Sequence, residues 1–186
     1  MSFVDAVPLA DFPAELAYTI ESADGAHERT LDIFHKLAHS APVFNSFTDA
    51  TAATLTQLKL DPQLRELVIC KVTLLNEADY PHHRHVILSR ALGVADDRLL
   101  ALPVFEKHPI FDDREKAALQ FTTELVRNRR VTDATKNAVA AYFDQRERVE
   151  LTWVVGFYQA VSMFTSACEV AIEPDGPMGV PTPKPR

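Results

Sequence analysis

The chain has 186 residues, enough for one domain with a real core, and its hydrophobic fraction of 47% against 24% charged residues excludes a disordered tail. With 26 acidic and 19 basic residues the formal charge is −7, so counterion release on a nucleic-acid backbone or an anionic membrane is not a driving force for binding. Two cysteines, Cys70 and Cys168, lie far apart in sequence with no CxxC, which suggests neither a disulfide framework nor a zinc finger.

The opening MSFVDAVPLADFPAEL carries Asp5, Asp11 and Glu15 and no basic residue ahead of an apolar run, so it does not resemble a signal peptide, and a cytoplasmic chain is expected. Five glycines and the lack of long alternating apolar runs argue against a sheet and for an all-α fold. Leu31, Phe34, His35 and Ala38 repeat at helical spacing, with Ile33 and Leu37 widening the stripe until Ser40, Ala41 and Pro42 stop it. A second helix is predicted over Phe47 to Leu58. A third starts behind Asp61-Pro62, an N-cap acid followed by a proline that needs no donor. Leu64, Leu67, Val68, Ile69, Val72, Leu74 and Leu75 surround this third helix, which places it in the middle of a bundle or at a subunit interface.

A fourth helix is predicted from Pro81 to Gly93, with Asp79 or Tyr80 near its cap and Gly93 just past its end. Asp112 with Glu115, and Asp144 with Glu147, have the spacing of capping boxes, and Thr132 caps the helix between them. The last long helix has Trp153, Phe157, Ala160, Val161 and Phe164 on one face and Leu151, Val154, Val155 and Tyr158 on another. Its uncharged stretch from Leu151 to Cys168 contains too many Thr, Ser and Gln for a membrane span. No linker or repeat divides residues 1–173, taken as one helical domain, while the Pro/Gly-rich residues 174–186 form a tail. Two nearly all-apolar helices in so short a chain call either for a compact single core or for oligomerisation.

On the third helix, Glu66, Cys70, Thr73 and Glu77 fall on one face and make a polar stripe on an apolar cylinder. A carboxyl group in apolar surroundings has its pKa raised by desolvation, which makes Glu66 a candidate acid or base; the alternative is a Glu that serves the helix dipole or pairs with a basic side chain. Cys70 and Thr73 are packing residues on this pattern. Three of the seven histidines fall in Asp79-Tyr80-Pro81-His82-His83-Arg84-His85. His82 and His85 share a face, with Ser89 one turn further along. A metal there would need Asp79 or Glu66 as further ligands, so no metal site is expected, and at least one of His82 and His83 is predicted to be a solvated helix-start residue.

Leu64-Arg65-Glu66-Leu67-Val68, then Tyr80, His85 and Gly93-Val94, resemble the core pattern of the carboxymuconolactone decarboxylase and alkylhydroperoxidase D superfamily. Leu37 to Pro42, Phe111 to Glu115, Val131-Thr132-Asp133, Glu150-Leu151 and Val155 to Tyr158 resemble its flanking segments, so that the likeness covers roughly residues 30 to 173. The peroxidase branch of that family has a Glu, twelve residues on the first Cys of a CxxC, and a His four residues beyond the second Cys. Glu66 and His85 keep that spacing here, but Ala78 and Pro81 stand at the cysteine positions, so dithiol peroxidase chemistry is not implied. Relatives without CxxC often have Tyr-Glu-Trp-x-x-His; Tyr80 and His85 agree with this, whereas Pro81 and His82 replace the acid and the Trp.

The resemblance implies an all-α, alkylhydroperoxidase D-like helical bundle that assembles as homotrimers or homohexamers. It also implies a lyase that works without a cofactor on a small carboxylated lactone or keto acid, by decarboxylation or isomerisation. Glu66 and His85 would be the acid/base pair, Tyr80 would orient substrate or donate to an oxyanion, and His82 would assist. Two other functions compete: a peroxide-reactive single thiol at Cys70, which a neighbouring carboxylate disfavours, and a non-enzymatic oligomeric binding protein in which Glu66 and His85 are a buried hydrogen-bonded pair.

Overall fold

The computed structural model describes residues 2–13, 16 and 31–173. Residues 174–186, expected to form the tail, lie outside the described residues. Among the described residues there are eight α-helices, two short 3-10 turns at Leu9–Asp11 and Leu102–Val104, and no strand, as the glycine count and periodicity predict. The helices are α1 (Asp32–Leu37), α2 (Ala41–Thr56), α3 (Pro62–Leu75), α4 (Asp79–Ala91), α5 (Asp96–Ala101), α6 (Asp113–Asn128), α7 (Asp133–Tyr142) and α8 (Gln145–Ala167). No helix among the described residues is long and apolar enough to cross a membrane.

Where a cap residue stands in the sequence, a helix starts. The Asp61 side chain accepts from the Leu64 N–H at 2.9 Å, with Pro62 at the first turn of α3. Asp112 and Glu115 exchange reciprocal bonds to each other's backbone N–H and open α6; Asp144 and Glu147 do the same ahead of α8. Thr132 caps α7. Gly93 follows α4 at φ +86°, a left-handed conformation that lets its N–H close the helix end on the Arg90 carbonyl.

Two boundaries differ from expectation. α2 begins at Ala41, not Phe47, because Pro42 sits in its first turn, where a proline lacks only a donor that is unused anyway; α1 has already ended at Leu37. α4 begins at Asp79, two residues ahead of Pro81, for the same reason. Glu77 does not extend the polar stripe; it sits beyond the end of α3 at φ 52° and is exposed.

The chain divides into two compact units, and the boundary falls inside α8. One comprises the chain up to Leu58 together with the stretch from Thr165. In it Phe34 packs on Phe44 with ring centres 5.2 Å apart, Phe12 meets both Phe44 and His35 edge-on, and the His35 imidazole hydrogen-bonds the Val7 carbonyl at 2.6 Å. The other unit, Lys59–Phe164, holds the candidate site. At its centre is α3, of which ten consecutive residues from Leu64 to Thr73 are buried, including Arg65, Glu66 and Lys71. It packs chiefly against α4 and α6. The surrounding core joins Leu67 and Cys70 to Val94, Leu102, Phe105 and Phe111. α3 is therefore a central helix of this unit, and its apolar circumference is used within the chain. α8 is not: Leu151, Val154, Val155, Tyr158 and Val161 are buried, but Trp153 and Met163 are exposed.

Candidate active site

A polar residue on a helix with no solvent-facing side must find its partner on a neighbouring helix or remain unsatisfied at a penalty of about 1–3 kcal/mol. The stripe on α3 finds its partners on α4. Glu66 Oε2 accepts from His85 Nδ1 at 2.6 Å, Cys70 Sγ lies 3.6 Å from Ser89 Oγ, and Thr73 Oγ1 is 2.9 Å from His82 Nδ1. Glu66, Cys70 and Thr73 on one helix and His82, His85 and Ser89 on the other are the two faces recognised separately in sequence, and they meet each other.

Glu66 is the centre of this contact and is 0% exposed. Its second oxygen accepts from Arg65 Nε at 2.9 Å, and Arg65 is buried as well. With a guanidinium on one oxygen, the carboxylate is an acceptor towards His85 on the other. The Nδ1–H of His85 is thus directed at Glu66, and Nε2 is the ring nitrogen left for chemistry. The His85 side chain retains 10% exposure. Tyr158, from α8, covers the imidazole edge-on with ring centres 4.6 Å apart. Burial, reinforced by the Glu66 carboxylate, pushes the Tyr158 phenol well above its ordinary pKa of 10.0 although Arg65 pulls the other way, so it remains a neutral phenol at any working pH.

The remaining expected site residues are placed as follows. Tyr80 is buried in the first turn of α4. His82 is half-buried and bonded to Thr73; burial lowers its pKa below 6.5, with His85 and His83 pushing the same way against a hydrogen bond to the Cys70 backbone and the charge of Asp79. A neutral His82 tied to Thr73 is not the solvated helix-start residue that its position suggests. Among the described residues no group of three His, Cys, Asp or Glu is placed to hold a metal ion. Burial pushes the Cys70 thiol up to about 12; its contact with Ser89 works against this and Glu66 adds to it.

Two site residues were not singled out from sequence. Arg65 lies directly beside Glu66 in the chain, where helical spacing would separate the two side chains, and only the buried position of both brings the guanidinium back onto the carboxylate. Tyr158 belongs to the apolar face of α8, where it has the pattern of a packing residue, and no sequence signal places that face against His85.

No family model matches this chain. It is 28% identical over 112 residues to the uncharacterized protein YnjA of Escherichia coli (strain K12), a match that covers 60% of this chain and 62% of that protein, under two thirds of the relative's length. Among solved structures it resembles a peroxidase-related protein from Silicibacter sp. TM1040, with a TM-score of 0.79, 20% identity and 91% of each chain covered. It resembles equally an alkylhydroperoxidase AhpD core protein from Ralstonia eutropha JMP134, with a TM-score of 0.79, 18% identity and 92% of each chain covered. The debrominase Bmp8 in complex with 2,3,4-tribromopyrrole follows with a TM-score of 0.77 at 14% identity, covering 93% of this chain and 92% of its own. At these identities the likeness establishes the fold: the chain has the alkylhydroperoxidase D-like helical architecture that the residue pattern implies.

Proposed function

We propose that this protein is a cofactor-independent enzyme that transfers a proton on a small organic substrate, with His85 as the group that exchanges the proton and Glu66 as its positioning partner. The observation that supports this best is the 2.6 Å contact between Glu66 Oε2 and His85 Nδ1 inside a buried setting. A carboxylate on Nδ1 selects the tautomer whose Nε2 is basic and stabilises the imidazolium formed when Nε2 takes a proton. Near apolar walls that stabilisation is larger than in water. A carbon acid beside a carbonyl, in a keto acid or a carboxylated lactone, suits such a base. Proton removal by Nε2 gives an enolate that retains its carboxylate and that the resulting imidazolium can reprotonate at another carbon, an isomerisation; loss of carbon dioxide from a β-keto acid gives instead the enolate of the shortened ketone, and His85, having taken the proton of the carboxylic acid, returns it at carbon. His82, kept neutral, and Tyr80, both on α4, are the groups assigned to orient the substrate. Assembly as homotrimers or homohexamers belongs to the same proposal.

Thiol chemistry fits less well, since Cys70 is buried and its pKa is pushed to about 12. The burial of the pair beneath Tyr158 favours one competing function, a binding protein whose Glu66 and His85 hold α3 to α4. A screen of β-keto acids and carboxylated lactones for release of carbon dioxide, repeated with Glu66→Gln and His85→Gln, separates the two. The expected result is turnover by the wild type that falls by about 10²-fold or more in both variants while each still unfolds cooperatively and loses no more than the about 1–3 kcal/mol of one mispaired buried hydrogen bond. Turnover left intact in both variants, or no turnover with large stability losses, sinks the catalytic assignment.

A further inference from the structure

α8 presents a second surface that the Glu66–His85 site does not use. Val149, Trp153, Gly156, Ala160 and Met163 recur at alternating intervals of four and three residues, the spacing of a coiled-coil seam, and all five are exposed. Val149 is 69%, Trp153 47% and Met163 72% exposed, while the opposite face of the same helix is buried. Trp153 and Phe157 stack nearly parallel, 5° between ring planes and 5.7 Å between centres, and form the wall of an open groove of about 730 Å³ along this face. Gly156 lies at the middle of the seam. A Cβ built on it meets nothing within 4 Å, so no neighbour among the described residues requires a glycine where the residue weakens a helix.

We propose that this seam docks on the same seam of a second copy of the chain, antiparallel, about a two-fold axis passing beside Gly156. The order of side-chain sizes supports self-pairing of this kind. About that axis Trp153 faces Ala160 of the second copy, Val149 faces Met163, and Gly156 faces Gly156, so the largest residue meets a small one and the glycines let the two helices approach closely. A parallel pairing would instead stack Trp153 on Trp153 and bring the two Arg148 side chains together. The antiparallel one holds those arginines roughly 25 Å apart at 1.5 Å of rise per residue, well beyond the Debye length. No charged residue occurs between Leu151 and Phe164, so nothing on the seam itself repels a copy.

Val149, Trp153 and Met163 together expose roughly 400 Å² per copy, already the size of the largest apolar patch on a typical monomer. Doubled and extended by Gln145, Thr152 and Phe157, which line the same groove, the buried area reaches about 1,200 Å², the lower bound for a specific interface. Because the contact is isologous, it generates even-numbered assemblies, so of the trimer and hexamer proposed above it selects the hexamer, built from dimers, or stops at the dimer. The inference is independent of the catalytic proposal.

Three single-cysteine additions test both contact and orientation, and the native Cys70 and Cys168 are buried and do not compete. Under mild oxidation Gly156→Cys should cross-link to itself, Met163→Cys should not, and a mixture of Met163→Cys with Val149→Cys should give a mixed cross-link. By sedimentation velocity the wild type should have an even multiple of the chain mass, and Trp153→Glu, with unchanged helical circular dichroism, should raise the dissociation constant at least about a hundredfold. A wild type that stays monomeric at about 100 µM, a trimeric mass, or self-cross-linking of Met163→Cys would overturn the proposal. Binding of an apolar fluorescent dye in the groove of a chain that remains monomeric would also overturn it, in favour of a small-molecule site.

Discussion

Replacing Glu66 with Ala removes the acceptor from two buried donors at once, Arg65 Nε at 2.9 Å and His85 Nδ1 at 2.6 Å, and leaves Arg65 in a core position where it is only 5% exposed. Removing one member of a buried ion pair costs about 3–5 kcal/mol, because the charge left behind has lost its water and its carboxylate. Glu66→Gln keeps the volume and one carbonyl oxygen but turns an amide towards a donor, so its cost is smaller, about 1–3 kcal/mol. Replacing both Arg65 and Glu66 with Met removes the polar groups together and should cost less than Glu66→Ala alone. The assay is urea unfolding followed by circular dichroism at one fixed protein concentration, since self-association adds to apparent stability. With a slope of about 2–3 kcal/mol per molar urea, Glu66→Ala should move the midpoint down by roughly 1–2 M. A Glu66→Ala midpoint within the change expected of a surface substitution, about 0.5 kcal/mol, would show that the carboxylate is not clamped between α3 and α4, and the site geometry would fail with it.

Two further outcomes follow from individual side chains. Cys70, with its pKa moved by burial from the ordinary 9.0 up to about 12, has about a thousandfold less thiolate at neutral pH than an exposed thiol; iodoacetamide at pH 7 followed by mass spectrometry should leave it unmodified in the native protein and label it in denaturant, and rapid native labelling would restore the thiol function. Burial alone would raise the Glu124 carboxyl, but bonds from the Thr132 backbone, Gln120, Thr135 and the Thr132 hydroxyl outweigh it and hold the group at about 2. A depressed carboxyl contributes stability above its unfolded value of 4.5 that is lost as pH falls from there through about 2. Glu124→Gln should therefore lower the melting temperature at pH 7 and flatten its decline over that range, with the two proteins converging near pH 2; parallel melting curves would contradict the assigned cause.

How much of this was legible in the sequence depends on whether a feature is local. Asp61, Asp112, Thr132 and Asp144 announce their helices because a cap satisfies orphan donors within its own next turn, and the tertiary structure has no occasion to change it. Pro42 and Pro81 are ambiguous as boundaries, since the same ring that stops a helix is tolerated in the first turn of the next one, and the sequence does not say on which side of the proline the cap falls. α5 went unanticipated because its six residues, Asp96–Ala101, are too few to show a period. The stripes on α3 and α4 were visible as stripes, but that they face each other required the hairpin to close. Arg65 and Tyr158 were hidden for another reason: a neighbour in sequence and a ring from a distant helix become site residues only through burial around Glu66 and His85.

The two faces of α8 show why an apolar helix does not by itself reveal where it is buried. On composition the helix is apolar nearly all round, and a compact core and an oligomer explain that equally well. The structure divides it. Tyr158 and its face are buried, and the Tyr158 ring reaches His85 at 4.6 Å. Phe157, the residue before it, has its ring 5.4 Å from Tyr158 and stacked on Trp153 of the exposed seam. An unbroken row of rings thus runs from the seam through Phe157 and Tyr158 to the imidazole. If a second copy packs on Trp153, it restrains Phe157 and through it the ring that covers His85, since close-packed rings do not shift independently. Trp153→Glu is then more than a dissociating variant: it removes the outermost ring of that row. Were the protein fully active as a monomer carrying this substitution, the catalytic pair would be self-sufficient within one chain, and the seam would serve assembly only.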